Sequence, residues 1–577
     1  MEALNFNTKN VLDAALADHR RNFINVAILS SLFSFMMILP SVYMLQVYDR
    51  ALPSRNTTTL LVLTAMILVA MIVMHFIDGA RQAILQRVGV QLQETLGDRV
   101  FDAISRKNLV MPSGNAMQPI HDLTVLRQFV GGPGPSAFFD LPWTPLFLVV
   151  IMLTSPVLGL FSIGATVITG VLALLTERIS TAPLEQAQVE NNRASALAAG
   201  QLRNAEVAEA LGMVAPLRAK WSAIQNRVLA LQETASERAS WVGAMSRFVR
   251  LASQSLILGL GALMAIQGTM TAGGMIMASI LMGRALVPLE QLMQNWKSFV
   301  MALGARKRLK ALLDEYPPPP PTLKLPRPNG VLSVENITAA PPLGKKAVIL
   351  GVTLNIAAGD SVGLVGPSAC GKSSLARVLI GLWRPHGGQV RLDGADIANW
   401  EKSDLGQWLG YLPQDVELFE GTVAENIARF GETTSELVIA AATLAGAHDL
   451  ILRLPEGYGT QLSAAASSLS PGQRQRIGLA RALYGDTRLV ILDEPDASLD
   501  DAGLQALMSA LAELKRRKVT TIVISHRLPV IQLMDKLIVL REGRLTHYGP
   551  CEAVLEALRA PQGKPAPVPL PTDVAKP

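Results

Sequence analysis

Residues Val362-Gly363-Leu364-Val365-Gly366-Pro367-Ser368-Ala369-Cys370-Gly371-Lys372-Ser373-Ser374-Leu375-Ala376-Arg377 decide the fold of the C-terminal half. A short apolar run enters a turn of Gly366, four residues and Gly371-Lys372-Ser373, then leaves into a helical stretch. That strand–loop–helix order lets backbone N–H groups and a helix N-terminus converge on one anion. Lys372 would reach the β- and γ-phosphates of a nucleotide, and Ser373 would ligate Mg²⁺. Gly366, Pro367, Ser368, Ala369, Cys370, Gly371, Lys372, Ser373 and Ser374 together form the expected ATP cradle. Cys370, inside the loop, should be shielded from thiol reagents when that cradle is filled.

Three further strand ends carry polar residues suited to the same chemistry. Leu489-Val490-Ile491-Leu492-Asp493-Glu494 is a continuous apolar run closed by two acids, the pattern of a buried parallel strand. Ligands bind at the carboxyl ends of such strands, so Asp493 would hold Mg²⁺ through water and Glu494 would deprotonate the attacking water. Gln414 follows Gly410-Tyr411-Leu412-Pro413, and His526 follows Thr521-Ile522-Val523-Ile524-Ser525. Either would sense the γ-phosphate or the metal, Gln414 as a further Mg²⁺ contact and His526 as a catalytic partner. Ser470-Pro471-Gly472-Gln473 opens a helical pattern, with Ser470 as a natural N-cap and Pro471 at the first helical position. A positive helix end would thereby present Ser470 and Gly472 to an anion.

Working outward, the first 300 residues are of another kind. The chain has 577 residues, half of them apolar, too many for one core and too apolar for an ordinary soluble protein. Segments long enough to cross a bilayer, about 17–25 residues, run Phe23–Val47, Leu60–Phe76, Phe138–Thr154, Val157–Leu175, Leu251–Gln267 and Gly273–Leu292. Three connections between them are short. The two long ones carry the basic residues, among them Arg81, Arg87, Arg99, Arg106, Lys107, Arg178, Arg203 and Arg247. Basic excess marks the cytoplasmic side, so both termini are expected in the cytoplasm. Arg284 lies roughly 18 Å into the sixth span at 1.5 Å per residue. A charge at that depth needs water or protein around it, so Arg284 is either a candidate for the translocation pathway or a snorkelling arginine on a span that starts later.

Composition sets the boundaries. Five consecutive prolines, Pro317 to Pro321, form an extended spacer. The expected division is a cytoplasmic tail (1–22), a six-helix membrane domain (23–310), a Pro-rich linker (311–330), a nucleotide-binding domain (331–560) and a disordered Pro-rich tail (561–577). Two cysteines exclude a disulfide framework. A net charge of +6 with no basic stripe argues against a nucleic-acid partner.

The order of phosphate loop, Gln414, Ser-x-Gly-Gln signature, Asp493-Glu494, Ser498-Leu499-Asp500 and His526 resembles the nucleotide-binding domain of an ATP-binding cassette (ABC) transporter. With six spans fused ahead of it, the whole resembles a half-transporter exporter: a membrane α-helical domain followed by an α/β P-loop NTPase. Leu45-Gln46-Val47-Tyr48-Asp49-Arg50-Ala51-Leu52-Pro53-Ser54-Arg55, Phe138-Phe139-Asp140-Leu141-Pro142-Trp143 and Gly478-Leu479-Ala480-Arg481-Ala482-Leu483-Tyr484-Gly485-Asp486 are similar to the inner-membrane exporters of type I secretion, in the branch that exports proteases, lipases and haem-binding proteins. The resemblance implies an inner-membrane homodimer using ATP and Mg²⁺, in which Ser470, Gly472 and Gln473 of one chain close on nucleotide held by the other. It also implies a periplasmic adaptor (membrane fusion) protein, an outer-membrane channel, surrounding membrane lipid and a secreted protein substrate with an uncleaved C-terminal signal. About 20 residues precede the first span and no cysteine lies among them, so no leader-removing peptidase domain is expected. The sequence departs from the family at Pro471, at the acid-free segment Ser463–Ser468, and in having no aromatic residue between Val331 and Val362 to stack on adenine. A lipid or drug exporter is the alternative in the same architecture, and an ATP-gated channel or sensor without turnover is the alternative in another class.

Overall fold

The computed structural model describes residues 11–111, 116–318, 324–344, 346–462 and 469–559. They fall into two units, one ending at residue 318 and the other beginning at 319. The calls on the acid-free segment Ser463–Ser468, the disordered tail 561–577 and the centre of the proline run lie outside the described residues.

The first unit is helical throughout. Its elements are α1 (Val11–Asp18), α2 (Arg20–Met36), α3 (Leu39–Gln46), α4 (Leu52–Ser54), α5 (Thr57–Val110), α6 (Gln118–Val130), α7 (Gly134–Asp140), α8 (Thr144–Thr154), α9 (Pro156–Leu202), α10 (Ala205–Ala210), α11 (Val214–Ile266) and α12 (Ala272–Glu315). Among the described residues, six stretches are long and apolar enough to cross a membrane, and each overlaps one of the spans read from the sequence. The short connections end on capping side chains, which is why the chain turns there. Asn56 accepts from Thr59 N–H, Ser155 from Leu158 N–H and Thr271 from Gly274 N–H, so α5, α9 and α12 each begin with an orphan donor satisfied. A π-helical turn, Val47–Ala51, swings Asp49 against the start of α12, where its Oδ1 accepts from Gly273 N–H at 2.9 Å. A Cβ on Gly273 would sit 2.6 Å from that oxygen, so only glycine permits this second cap. The Leu45–Arg55 stretch thus ties span one to span six. With 54 and 53 residues, α5 and α11 run about 80 Å, far beyond a hydrocarbon core of about 30 Å.

Tertiary packing revises three sequence expectations. Val11–Asp18 is a helix rather than a tail: Leu12 is buried, and Asp13 accepts from Arg306 at 2.8 Å and Lys310 at 2.6 Å. Those two cations hold its carboxyl below the usual range. The linker starts later than expected, because α12 continues to Glu315, five residues past the expected boundary, and buries Leu309, Leu312 and Leu313 with Leu12, Leu96 and Leu126. Arg81 is buried rather than marking a wet connection. Its guanidinium donates to Asp140 (2.6 Å), Asp78 (2.7 Å) and Ser30 (3.1 Å) and lies 4.8 Å from the Phe33 ring centroid. One cation thereby joins spans one, two and three, and the Asp140 of Phe138–Trp143 has its partner.

The second unit is built on strands β1 (Leu332–Ala339), β2 (Ile349–Ile356), β3 (Ser361–Val365), β4 (Gly387–Leu392), β5 (Ala395–Asp396), β6 (Leu409–Leu412), β7 (Gly421–Thr422), β8 (Gln461–Leu462), β9 (Leu489–Asp493), β10 (Thr520–Ile524), β11 (Lys536–Arg541) and β12 (Arg544–Pro550). The main sheet runs β12-β11-β3-β10-β9-β6. All its neighbours pair in parallel except β12, an antiparallel edge. β9 and β10 are buried at every position, the expectation for parallel strands covered on both faces. One face packs Ile491, Ile522 and Leu364 against Leu375, Leu379 and the second sheet, of order β2-β1-β4-β5. The other packs Val490, Leu492 and Val523 against the helices that carry Ile477, Leu479 and Leu507.

Arg429 shows how the helical face is held. Its guanidinium donates to the carbonyls of Arg481 (2.9 Å), Gly406 (2.5 Å), Leu409 (3.0 Å) and Ala482 (3.1 Å), and burial lowers its pKa to about 10. Arg429→Met keeps the apolar stem but strands these acceptors. Unsatisfied buried groups cost about 1–3 kcal/mol each. The substitution should therefore destabilise the cassette by about 3 kcal/mol or more, read as a lower urea midpoint of the purified protein; an unchanged midpoint would show that the carbonyls find water.

Candidate functional site

Strand register assembles the site. β3 pairs with β10 at Leu364↔Ile524, β10 with β9 at Ile524↔Asp493, and β9 with β6 at Leu492↔Leu412. One residue beyond Asp493 brings out Glu494, and two residues beyond Leu364, Ile524 and Leu412 come the phosphate loop at Gly366, His526 and Gln414. Four segments scattered over 160 residues of sequence thus end abreast at the carboxyl edge of a single sheet.

The loop needs its glycines where the backbone turns left-handed. Gly371 has φ 103°, and Ala369 takes φ 62°; the alanine stores strain of the kind found at ligand clamps. A Cβ on Gly366 would lie 2.2 Å from Leu540 O, so the loop lies directly on the end of β11. The Lys372 ammonium is buried and donates to Gly366 O at 2.9 Å and Pro367 O at 3.0 Å. It bridges the loop's own carbonyls, and an anion in the cradle would face it there.

Cys370 is placed differently from expectation. Its thiol is buried in the hydrophobic cluster of Ile349, Leu364 and Leu540, and a Cβ on Gly366 would lie 2.7 Å from its Sγ. Apolar neighbours already cover the thiol, so slow labelling is expected with or without nucleotide. Cys551 is equally buried and donates to Ile531 O at 3.3 Å.

Asp493 is 1 % exposed, and neither carboxylate oxygen completes a hydrogen bond. Burial lifts its carboxyl above the usual range, offset in part by the Ser373 hydroxyl. A desolvated, unmet carboxylate beside a hydroxyl is a hard oxygen donor set, which fits Mg²⁺. Residues Ser373 and Asp493 would hold the ion, and Gln414, whose Nε2 donates to Glu494 Oε2 at 3.2 Å, keeps its carbonyl oxygen for it. Asp493→Asn removes the desolvated charge. We expect that variant to melt higher than wild type without nucleotide while losing Mg²⁺-dependent ATP hydrolysis; a lower melting temperature would contradict the burial argument.

Glu494 has φ 49°, a strained conformation for a side-chain-bearing residue. Its N–H donates to Ile524 O at 2.9 Å, and its carbonyl accepts from Gln475 Nε2 at 3.3 Å. These bonds aim the carboxylate outward beside Gln414. Gln475 is a residue that sequence reasoning missed; its only signal is a polar side chain at a buried helix position. His526 is exposed at the end of β10 and makes no side-chain hydrogen bond among the described residues. Behind it, Ser525 Oγ donates to Asp496 Oδ2 at 3.0 Å and accepts from Arg527 N–H, fixing the turn that presents the imidazole.

Ser470 and Gln473 form a reciprocal capping box at the start of the Pro471–Leu483 helix: Ser470 N–H donates to Gln473 Oε1 at 2.8 Å, and Gln473 N–H to Ser470 Oγ at 3.3 Å. Pro471 occupies the first helical position without cost, as its ring requires. Gly472 abuts Ser498, whose carbonyl would be 2.8 Å from an added Cβ. Asp500 caps the Asp501–Arg516 helix through Gly503 N–H and pairs with Arg476; both hold its carboxyl low. These residues line an open cleft of about 920 Å³. No hydrogen bond joins Ser470, Gly472 or Gln473 to the phosphate loop within the chain. On the loop between β1 and β2, Gly344 N–H donates to Pro341 O at 2.8 Å, and Leu343, with φ 63°, projects an exposed apolar side chain. In the membrane unit, Arg284 is exposed while Leu281, Met282, Gly283, Ala285 and Leu286 are buried.

Residues 349–497 match the family model "ABC transporter", and residues 23–287 match "ABC transporter transmembrane region". The chain is 41% identical over 551 residues, covering 95% of both chains, to the type I secretion system ATP-binding protein PrsD of Rhizobium meliloti (strain 1021). It is 27% identical to the exotoxin translocation ATP-binding protein PaxB of Pasteurella aerogenes and to the leukotoxin export ATP-binding protein LtxB of Aggregatibacter actinomycetemcomitans, covering 94% of this chain and 77% of each relative. Among solved structures, a bacterial Atm1-family ABC exporter with ATP bound superposes with a TM-score of 0.76 over 95% of this chain and 100% of that one, at 23% identity.

Proposed function

Because the chain belongs to the ABC transporters, in the branch of type I secretion ATP-binding proteins, we propose that it is the ATP-hydrolysing, inner-membrane exporter of a protein secretion system. The observation that carries turnover, as against a gated channel, is the pairing of Glu494 with Gln414 next to an unmet Asp493. In this reading Lys372 stabilises charge on the γ-phosphate, while Ser373 and Asp493 would hold Mg²⁺, which would supply further charge neutralisation there. Glu494 takes the proton of the attacking water, and His526 contacts the γ-phosphate. Two chains pair head to tail, so that the capped helix start at Ser470 and Gly472 closes over nucleotide on the partner. Both termini lie in the cytoplasm. A periplasmic adaptor and an outer-membrane channel continue the route, and the cargo is an unfolded polypeptide with a C-terminal signal that is not removed.

A secretion assay tests this reading. A candidate cargo should be exported at full length, and deletion of its last ~50 residues, a length suited to an unstructured signal, should abolish export and ATPase stimulation together. Export that persists without that segment, with ATPase stimulation by lipid alone, would favour the lipid-exporter alternative.

A further inference from the structure

We propose that the open face of α12 is a binding track for an extended, carboxylate-bearing polypeptide segment, entered at a small cavity beside Gln294 and crowned by Arg284. The inference rests on the protein-export reading and adds to it the site and the chemistry it selects.

The burial pattern of α12 sets the face. Its apolar window is 56 % buried within the unit, against 11–28 % for the other five, and it packs on α3, α5, α7, α8, α9 and α11. Along one side of the helix, exposed Arg284, Gln294 and Ser298 recur at helical spacing with half-buried Ile280, Val287 and Gln291, and Lys297 is exposed near its lower end. A cation and an amide on such a face inside a span are costly against lipid, by about 2.5 kcal/mol or more for the arginine. A face that instead borders a water-filled path carries no such penalty. Gln291 and Gln294 each offer donors and an acceptor, the complement of a peptide backbone whatever its sequence.

A second, independent observation lies at the lower end. Between α11 and α12 is a cavity of about 220 Å³ lined by Ser240, Gly243, Ser246, Arg247, Glu290 and Gln294. Drug-sized ligands take about 300 Å³ or more, so this space suits a side chain rather than a drug. Ser246 is 1 % exposed and its Oγ has no partner, an unmet polar group in the wall. Glu290 is neutralised by Arg250 at 3.0 Å. Arg247 and Arg284, in contrast, have no ion-pair partner among the described residues. Both ends of the track are therefore positive and complement carboxylates. Gln294 and Arg284 are ten residues apart, about 15 Å along the helix, which an extended segment spans in about five residues.

The test uses the full-length protein in lipid nanodiscs and an unstructured peptide of about 20 residues repeating Gly-Asp-Ser, with a Gly-Asn-Ser counterpart as the neutral control. A benzophenone amino acid replaces Gln294 in one variant and Phe76, exposed on the second span, in another. We expect the acidic peptide to crosslink at 294 and not at 76, and to bind about tenfold more weakly to the Arg247→Gln/Arg284→Gln double variant, the scale of losing charge-assisted hydrogen bonds. Lysine at both positions should restore most of the binding, and basal ATP hydrolysis should be unchanged in all variants. Equal binding of both peptides, unaltered in the double glutamine variant, would overturn the track while cargo secretion by the wild type left protein export standing. Failure of the wild type both to bind peptide and to secrete cargo would overturn the export reading and the track with it.

Discussion

Glu494→Gln should bind ATP as the wild type does and hydrolyse it about two orders of magnitude more slowly, or slower still, the usual scale of losing a general base. The amide is isosteric, and the groups that hold this residue are indifferent to the change. Its N–H still meets Ile524 O, its carbonyl still meets Gln475, and the φ of 49° is set by the backbone. What disappears is the proton acceptor, together with the Gln414 contact to a charged oxygen. ATP should accumulate unhydrolysed and hold two cassettes together, giving a stable dimer on size-exclusion chromatography in Mg²⁺-ATP. Steady-state hydrolysis near the wild-type rate would remove Glu494 from the mechanism.

Lys372→Ala should fail one step earlier. Its ammonium is buried and bridges Gly366 O and Pro367 O of the loop. Truncation removes the counter-charge for the phosphates and releases two loop carbonyls. Contacts between ionised partners contribute about 1.5–3 kcal/mol each. ATP affinity should therefore fall by about 100-fold, with hydrolysis lost at ordinary nucleotide concentrations. Titration with a fluorescent ATP analogue reads this directly. Unchanged affinity with lost turnover would move Lys372 from ground-state binding to the transition state alone.

Taken together, the two variants divide the site into a part that holds nucleotide and a part that cleaves it. The elements on which that proposed division rests are legible in the sequence. Phosphate loops, acidic strand ends and capped helix starts are local devices: a glycine at a left-handed turn, an N-cap serine and a proline at the first helical position act within a few residues of themselves. The apolar spans are equally local, since a bilayer tests each one for length and charge.

Contacts between distant segments were not legible. Nothing near Arg81 in sequence announces Asp140, 59 residues away, or that one buried guanidinium joins three spans. The loop position of Cys370 suggested exposure to nucleotide, but its thiol is buried among Ile349, Leu364 and Leu540. Residues 311–315 looked like linker until α12 found apolar cover for Leu312 and Leu313. Arg284 was readable as a charge in a span, but which side of α12 it occupies depends on the helices packed around that span. By itself the sequence determined each element and the chemistry at its end, because caps, turns and bilayer length are short-range constraints. Tertiary structure alone decided which ends meet, because strand register and helix packing are settled by the burial of side chains far apart in the chain.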